Sequence, residues 1–230
     1  MSKKFKAIIC DPAWIFGNTL SMSSVARGAA ANYDLMSNED IASLRVNELA
    51  DPNGCVLALW VPSSLLQTGL DTMKAWGFDQ KTTFIWCKTK KEPLADIASL
   101  VQKSSLTSPL KSLKKIVSTI VENTKLNDIL GFGMGRLFRA SHEICLIGIN
   151  NTGIYKSLQN KSQRSVCLAT NEGHSIKPEA LHDSLELMFG KDANKIELFA
   201  RRPKTGWTCL GNEIDGRDIR DAINDIVDEP

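Results

Sequence analysis

Apolar residues occur along the chain in short runs that are separated by polar turns, and this pattern predicts an α/β protein. The first run occupies residues 5–10 and is broken by Asp11-Pro12, as expected for a short buried strand that ends in a loop. The strand, helix, strand order of residues 54–87 favours a largely parallel sheet. Further strands are predicted at residues 54–61, 82–87, 143–149, 165–169, 195–200 and 207–210.

Helices are predicted where capping residues precede apolar positions at three- and four-residue spacing. Ser37-Asn38-Glu39-Asp40 has the form of a capping box, and Ile41, Leu44 and Leu49 follow at roughly helical spacing. Pro178, at a first helical position, opens a helix that ends at Gly190, and a last helix covers residues 218–227. The helix predicted between Pro62 and Gly77 is expected to bury Leu65, Leu66, Leu70 and Met73.

The expected organisation is one domain over residues 1–230 with a helical insertion at residues 90–130. Apolar residues of the insertion lie three and four positions apart, which favours a helix packed against the edge of the sheet. The loop that follows Trp14 is rich in glycine, serine and alanine, and it is expected to form a mobile lid. A third segment, Gly131-Phe132-Gly133-Met134-Gly135, looks like a dinucleotide-binding turn but lacks the preceding strand and following helix. A hinge or a substrate loop is expected there instead.

Composition narrows the class of protein. A chain of 230 residues with 43% hydrophobic content can bury one sizeable core. Its six cysteines are scattered without a C-x-x-C pair, so neither a zinc site nor a disulfide framework is expected. No signal peptide and no apolar stretch of membrane-spanning length is recognised, so we expect no membrane partner and a cytoplasmic or nucleus-like location.

The net charge of +2 hides a strong asymmetry. Residues 88–139 contain ten basic and four acidic side chains, a charge of +6, so the remainder of the chain carries −4. Such a basic segment is typical of a surface that binds a polyanion. The alternative is a solvated, lysine-rich helical face. The candidate contacts to nucleic acid are Lys88, Lys111, Lys114, Lys115, Arg136 and Arg139.

The loop after the first strand carries the candidate chemistry. Ligands of open α/β sheets bind outside the carboxyl ends of the strands, which is where Asp11-Pro12-Ala13-Trp14 falls. An aromatic exocyclic amine is a poor nucleophile, and two acceptors aimed at its N–H bonds would stabilise the positive charge that grows during attack. The carboxylate of Asp11 and the carbonyl of Pro12 are such acceptors, and Trp14 offers a flat surface for a base. Alternatively, Asp11-Pro12 only opens a turn and Trp14 caps the core.

Eight segments, taken together in order and spacing, resemble the MT-A70 family of adenine methyltransferases. The resemblance covers nearly the whole chain except residues 90–130. The segments are Asp11-Pro12-Ala13-Trp14, Tyr33-Asp34-Leu35-Met36-Ser37, Leu57-Ala58-Leu59-Trp60-Val61, Phe84-Ile85-Trp86-Cys87-Lys88, His142-Glu143-Ile144-Cys145-Leu146-Ile147-Gly148, Lys177-Pro178-Glu179, Glu197-Leu198-Phe199-Ala200-Arg201, and Gly206-Trp207 with Gly211-Asn212-Glu213.

The resemblance implies a Rossmann-like class I methyltransferase fold and methyl transfer from S-adenosylmethionine to the exocyclic N6 amine of adenine. It places Asp11 and Pro12 on the amine, and Trp14 and Tyr33 around the adenine. Asp11 is also expected to meet the amino group of the cofactor. DNA is expected as the target ahead of RNA, and a homodimer or a related partner subunit is compatible with the family.

The resemblance also assigns the cofactor site. Lys177 and Arg201 are expected near S-adenosylmethionine, and Asn212 and Glu213 on its ribose hydroxyls. A carboxylate that follows a strand is a good acceptor for a diol, although exposed loop acids are common. The alternative from another class is a catalytically inactive subunit that binds nucleic acid or a partner.

One departure from the family pattern concerns the turn at the first strand. Relatives have a second proline where this chain has Ala13, so the turn loses one locked φ angle. The carbonyl of Pro12 is retained. We therefore expect the turn to be less preorganised than in relatives, which puts the level of activity to the test.

Overall fold

The computed structural model describes residues 3–15, 36–91, 118, 125–135, 137–173 and 176–229. These residues fall into two compact units, the first from residues 1–85, 143–167 and 179–230 and the second from residues 86–142 and 168–178. Several predictions fall outside the described residues: the lid after Trp14, most of the helical insertion, and the side chains Tyr33, Lys111, Lys114, Lys115 and Arg136.

Seven strands form one sheet in the described part of the chain, in the order β5-β3-β4-β2-β1-β6-β7. The neighbouring pairs β1–β2, β1–β6 and β6–β7 are parallel, and β2–β4 is antiparallel. The predicted α/β class with a mostly parallel sheet is confirmed. The strands are β1 Ala7–Cys10, β2 Val56–Val61, β3 Asp79–Thr89, β4 His142–Ile149, β5 Val166–Thr170, β6 Lys195–Leu198 and β7 Thr208–Leu210.

Helices accompany the strands in a Rossmann-like arrangement. Local capping defines several of them: the Ser37 hydroxyl accepts the Asp40 N–H at 2.9 Å, and the Asp218 carboxylate accepts the Arg220 N–H at 2.8 Å. Within the described residues, no helix has the length and apolar character needed to cross a bilayer. The helices are α1 Asn38–Ala42, α2 Val46–Leu49, α3 Leu66–Ala75, α4 Leu126–Ile129, α5 Ala180–Phe189, α6 Asn212–Asp215 and α7 Ile219–Asp228, with 3-10 turns at Ser63–Leu65 and Thr152–Ser157.

Two details of the predicted helices are wrong. Pro178 does not occupy the first helical position of α5, because Glu179 is the N-cap and the helix starts at Ala180. Leu66 is 37% exposed rather than buried. A 3-10 turn, Ser63–Leu65, precedes α3. Because it has about three residues per turn and not about 3.6, the apolar residues at the start of the helix do not all face the core. The prediction of buried Met73 is confirmed, at 0% exposure.

The core of the first unit is centred on β1. This strand lies between β2 and β6, and each of its four residues is at most 1% exposed. A strand with neighbours on both sides and cover on both faces needs apolar side chains at every position, which explains its unbroken apolar run. The same core includes Phe5, Ile41, Leu49, Trp76, Ile196 and Ile223.

The second unit contains the end of β3 and a short hairpin. Residues 88–90 run antiparallel to residues 129–131, with the Gly131 N–H donating to the Lys88 carbonyl at 2.9 Å. Gly133 and Ala140 form an antiparallel bridge beyond it. The glycine-rich segment is therefore part of a hairpin-like loop, and its role as hinge or substrate loop stays a prediction.

Candidate active site

The carboxyl ends of four strands are in register. Leu59, Cys10, Leu198 and Leu210 are paired partners across β2, β1, β6 and β7. All three pairings are parallel, so the residues that follow these partners emerge at the same edge of the sheet. Those residues are Trp60 in β2, and Asp11, Phe199 and Gly211 just beyond β1, β6 and β7. The edge thus gathers Asp11 with the segments that carry Arg201, Asn212 and Glu213.

Hydrogen bonds fix the turn after β1. The Trp14 N–H donates to the Pro12 carbonyl at 2.9 Å, and the Trp14 indole N–H donates to the Trp60 carbonyl, also at 2.9 Å. These two bonds restrain the turn independently of a proline at Ala13. A carbonyl oxygen has two lone pairs, so Pro12 retains acceptor capacity for a substrate N–H.

Trp14 itself is buried. Its side chain is 3% exposed and belongs to the hydrophobic core of the first unit. This environment agrees with the alternative in which Trp14 caps the core and anchors the turn. Its contact with a substrate base stays a prediction, as does that of Tyr33, which lies outside the described residues.

The backbone after β6 adopts an unusual conformation. Phe199 has a φ of 60°, the one positive value at a non-glycine position among the described residues. The next residue, Ala200, donates its N–H to the Leu210 carbonyl at 2.8 Å. A Cβ on Gly211 would lie 2.3 Å from the Ala200 oxygen, closer than any real contact. Glycine is therefore required for β7 to leave the sheet so near the β6 segment.

The polar groups of this segment lie beside each other. A guanidinium nitrogen of Arg201 is 3.8 Å from a carboxylate oxygen of Glu213, with side-chain exposures of 26% and 41%. Asn212 is exposed and begins α6 directly after the close approach of Gly211. The edge therefore offers a cation, an amide and a carboxylate from consecutive turns.

The thiol directly before the turn, that of Cys10, is a poor candidate for a nucleophile. Cys10 is fully buried, and burial, reinforced by the nearby charge of Asp11, holds the pKa of its thiol well above the usual value. A thiol with a raised pKa is a poor nucleophile at neutral pH.

The predicted cations of the second unit are also placed. Lys88 lies in β3 with its ammonium 5.1 Å from the Trp86 ring centre. Arg139 is exposed in the hairpin, with its guanidinium 6.0 Å from the Phe132 ring. Lys177 is half-buried in the segment before α5. Their roles toward nucleic acid and cofactor stay predictions.

The structure brings together polar groups to which the sequence analysis assigned no role of their own. The Nε2 atom of His182 is 2.9 Å from a carboxylate oxygen of Glu197, and both groups are largely buried. Glu179 accepts hydrogen bonds from Arg202 and Lys204. A polar His182 between the apolar Leu181 and Leu185 was the available signal for the first pair. The contacts of Glu179 with Arg202 and Lys204 had no local signal in the sequence, because the partners are more than twenty positions apart.

The opposite edge of the first unit contains a cavity of about 310 Å³ at the amino ends of β6 and β7. Lys195 is one of the residues that line it, and its ammonium donates to the carbonyls of Gly190, Lys191 and Ala193 at 2.8–3.0 Å. All three donors of that ammonium are thus used to close the turn between α5 and β6. The cavity is separate from the edge that carries Asp11.

A family model matches most of the chain. The MT-A70 model matches residues 5–122 and 110–213, which include β1, the turn after it, and the segment through Glu213.

Similar proteins are found across distant organisms. An N(6)-adenosine-methyltransferase MT-A70-like protein of Drosophila melanogaster is 25% identical over 93% of this chain and 27% of its own length. The human N(6)-adenosine-methyltransferase catalytic subunit METTL3 is 24% identical over 97% of this chain and 30% of its own. The type II methyltransferase M.MunI of Mycoplasma sp is 22% identical over 99% of this chain and 85% of its own. The chain thus spans less than a third of the adenosine methyltransferases and most of the type II methyltransferase.

Proposed function

The chain belongs to the MT-A70 family, and from this premise we propose that it transfers a methyl group from S-adenosylmethionine to the N6 amine of adenine in nucleic acid. The observation that carries the proposal is the position of Asp11-Pro12 at the carboxyl end of the central strand β1. Two oxygen acceptors on one restrained turn suit an amine substrate better than they suit a nucleophilic or metal-dependent mechanism.

The edge beside Asp11 fits the methyl donor. S-adenosylmethionine supplies an electrophilic methyl group when it is bound. The amide of Asn212 and the carboxylate of Glu213 would hold the two ribose hydroxyls, because both side chains are accessible and match a diol in hydrogen-bonding type. Arg201, which is 3.8 Å from Glu213, would orient that carboxylate and face the anionic end of the donor. Gly211 lets the segment that carries Asn212 and Glu213 pass close to the backbone of Phe199 and Ala200, next to Arg201. We further propose Lys177 as a contact of the donor.

Asp11 and Pro12 would orient and activate the amine. Each accepts one N–H of the exocyclic nitrogen, so the remaining lone pair is directed away from the two acceptors. The charge of Asp11 stabilises the positive charge that develops on the nitrogen as it attacks. The two hydrogen bonds made by Trp14 restrain the turn that carries the Pro12 carbonyl before the substrate arrives. This preorganisation supports catalysis in spite of the alanine at position 13.

The proposed target is DNA ahead of RNA. M.MunI is matched over 85% of its own length, and its name, type II methyltransferase, does not mention adenosine, the nucleoside of RNA. RNA is the second candidate because the Drosophila and human relatives are named adenosine methyltransferases. We propose that the basic residues from Lys88 to Arg139 bind the phosphates of either nucleic acid.

An inactive subunit is the competing function. A non-catalytic subunit, MTB of Arabidopsis thaliana, is 31% identical to this chain, but over only 40% of it. The retention of Asp11, Asn212 and Glu213 favours an active enzyme, since a subunit that only binds needs neither amine acceptors nor ribose contacts.

Isotope-labelled S-adenosylmethionine tests the proposal directly. The protein is incubated with single-stranded DNA, duplex DNA or RNA, and the nucleosides are then separated and identified by mass spectrometry. We expect labelled N6-methyldeoxyadenosine from at least one DNA substrate. Label found only in N6-methyladenosine would show that the substrate is RNA and not DNA. No labelled nucleoside from any substrate, with the protein folded, would favour the inactive subunit.

A further inference from the structure

The strained residue Phe199 lies in the middle of the edge that we assign to the methyl donor. Its φ of 60° is unfavourable for a side chain with a Cβ, and such conformations persist where surrounding contacts hold them. Arg201 follows two positions later, and its distance of 3.8 Å to Glu213 depends on the shape of this turn. The contacts that hold this turn therefore bear on where Arg201 lies relative to Glu213.

The first turn of α5 holds the chain on both sides of Phe199. Upstream, His182 is 2.9 Å from Glu197, which precedes Phe199 by two positions in β6. Downstream, the N-cap residue Glu179 binds two cations of the β6–β7 loop, with Arg202 on one carboxylate oxygen and Lys204 on the other.

The contact between Glu179 and the loop joins one carboxylate, 43% exposed, to an exposed cation, Arg202, and to a more buried one, Lys204. Lys204 is 20% exposed and hydrogen-bonds to Glu179, whereas its other acidic neighbour, Asp183, lies 3.7 Å away, beyond hydrogen-bonding distance. Burial by itself would raise the pKa of Glu179, but the hydrogen bond from Lys204, together with the charges of His182, Lys204 and Arg202, lowers the pKa below its usual value. The carboxylate is therefore ionised at neutral pH and binds both cations.

We propose that Glu179 is a positioning residue that holds the β6–β7 loop, and thereby Arg201 and Glu213, in the arrangement that binds the methyl donor. Glu179 does not itself need to touch the donor. The inference rests on the proposed function for the identity of that donor, but the restraint of the loop is a property of the chain alone.

The test uses Glu179→Gln in the full chain, which preserves shape and removes the charge. We expect S-adenosylmethionine to bind about fivefold or more weakly by calorimetry, as is typical for residues coupled through one network. The KM for the donor should rise with kcat nearly unchanged. Hydrogen exchange of the amides from Phe199 to Gly206 should become faster, while that of β1 stays as in the wild type.

The control is Asp183→Asn, which removes a charge from the same helical turn and faces the same lysine at 3.7 Å, but makes no hydrogen bond to Arg202 among the contacts of the described residues. It should leave both readouts unchanged. In an Arg201→Gln background, Glu179→Gln should weaken donor binding no further. Unchanged donor affinity and unchanged exchange in Glu179→Gln would overturn the proposal. If the wild type binds no S-adenosylmethionine, the proposed function fails, and the exchange measurement alone decides whether Glu179 holds the loop.

Discussion

Asp11 combines two tasks in the proposed reaction, because its carboxylate accepts from the amine and its charge stabilises the transition state. Asp11→Asn keeps one acceptor oxygen and removes the charge, so we expect turnover to fall on the order of a hundredfold or more. The turnover is measured as the rate at which labelled methyl groups are incorporated into nucleic acid. Asp71→Asn, an exposed change on α3, should retain wild-type turnover. Equal turnover in the two variants would contradict the mechanism.

Trp14 joins the core to the turn that carries the acceptors. Trp14→Ala empties a buried aromatic site and should lower the free energy of unfolding by about 3–5 kcal/mol. Trp14→Phe keeps most of the packing but removes the donor to the Trp60 carbonyl. We expect it to lower the free energy of unfolding by about 1–2 kcal/mol. Urea denaturation measures both. Unchanged stability in Trp14→Ala, with nucleic-acid affinity reduced by roughly 1–3 kcal/mol, would instead identify the ring as a base-stacking surface.

Asp51 provides a pH-dependent contribution to stability near the start of β1. Burial would raise the pKa of its carboxyl, but the hydrogen bonds from Lys6, at 2.9 Å, and from the Asn53 N–H lower it overall. A lowered folded-state pKa contributes stability that is present above the unfolded pKa of about 3.9 and is lost as the pH falls through the folded value.

Asp51→Asn should therefore lower the free energy of unfolding by about 1–2 kcal/mol at pH 7, somewhat less than the roughly 1.5–3 kcal/mol of a buried hydrogen bond to a charged group, because Lys6 and Asp51 are partly exposed. The difference from the wild type should shrink as the pH is lowered below the unfolded pKa of about 3.9 and the wild-type carboxyl takes up its proton. Urea denaturation at a series of pH values measures this. A difference that is constant over the whole range would show that the charge of Asp51 contributes nothing.

The turn from β7 into α6 depends on the absence of a side chain at Gly211. Gly211→Ala would place a Cβ 2.3 Å from the Ala200 oxygen, so the backbone that presents Asn212 and Glu213 must move. Displacement of a binding group by about 1 Å can cost on the order of a hundredfold in function, and we expect a large loss of donor affinity by calorimetry.

Gly77→Ala is the matched control for that substitution. Gly77 has a φ of 75° and open space around a Cβ, so the change introduces backbone strain without a collision. We expect it to cost about 1–2 kcal/mol of stability and to leave donor affinity unchanged. Equal donor affinity in the two variants would mean that the β7–α6 turn has no part in the donor site.

The whole molecule carries its positive charge unevenly, with +6 between Lys88 and Arg139 and −4 elsewhere. If Lys111, Lys114 and Lys115 contact phosphates, replacing all three by Gln should flatten the slope of log affinity against log salt by about 0.7–0.9 per lost contact. Donor affinity should not change, because these lysines have no assigned role in that site.

Binding to single-stranded and duplex DNA over a salt series measures the effect. A matched triple variant, Lys74→Gln with Lys156→Gln and Lys161→Gln, removes the same charge from exposed positions of the first unit and should alter the slope less. An unaltered slope in the insertion variant would assign the basic face to packing or to a protein partner.

Much of the fold could be predicted from the sequence because its signals are local. The unbroken apolar run of β1 is visible along the chain, and so is the Ser37 cap that accepts the Asp40 N–H. Gly190, with a φ of 83°, ends α5 where the sequence placed that end. The position of Asp11-Pro12 at the end of a strand followed from the same kind of signal.

The tertiary structure alone decided which distant groups meet. Sheet order and register bring Asp11 to the edge shared by Phe199 and Gly211, and no local pattern specifies that β6 pairs with β1. The buried environment of Trp14 and the two cations on Glu179 depend on contacts between positions more than twenty residues apart. Sequence patterns encode the preferences of each segment, whereas burial and pairing are settled when the segments pack together, because each contact then depends on all the others.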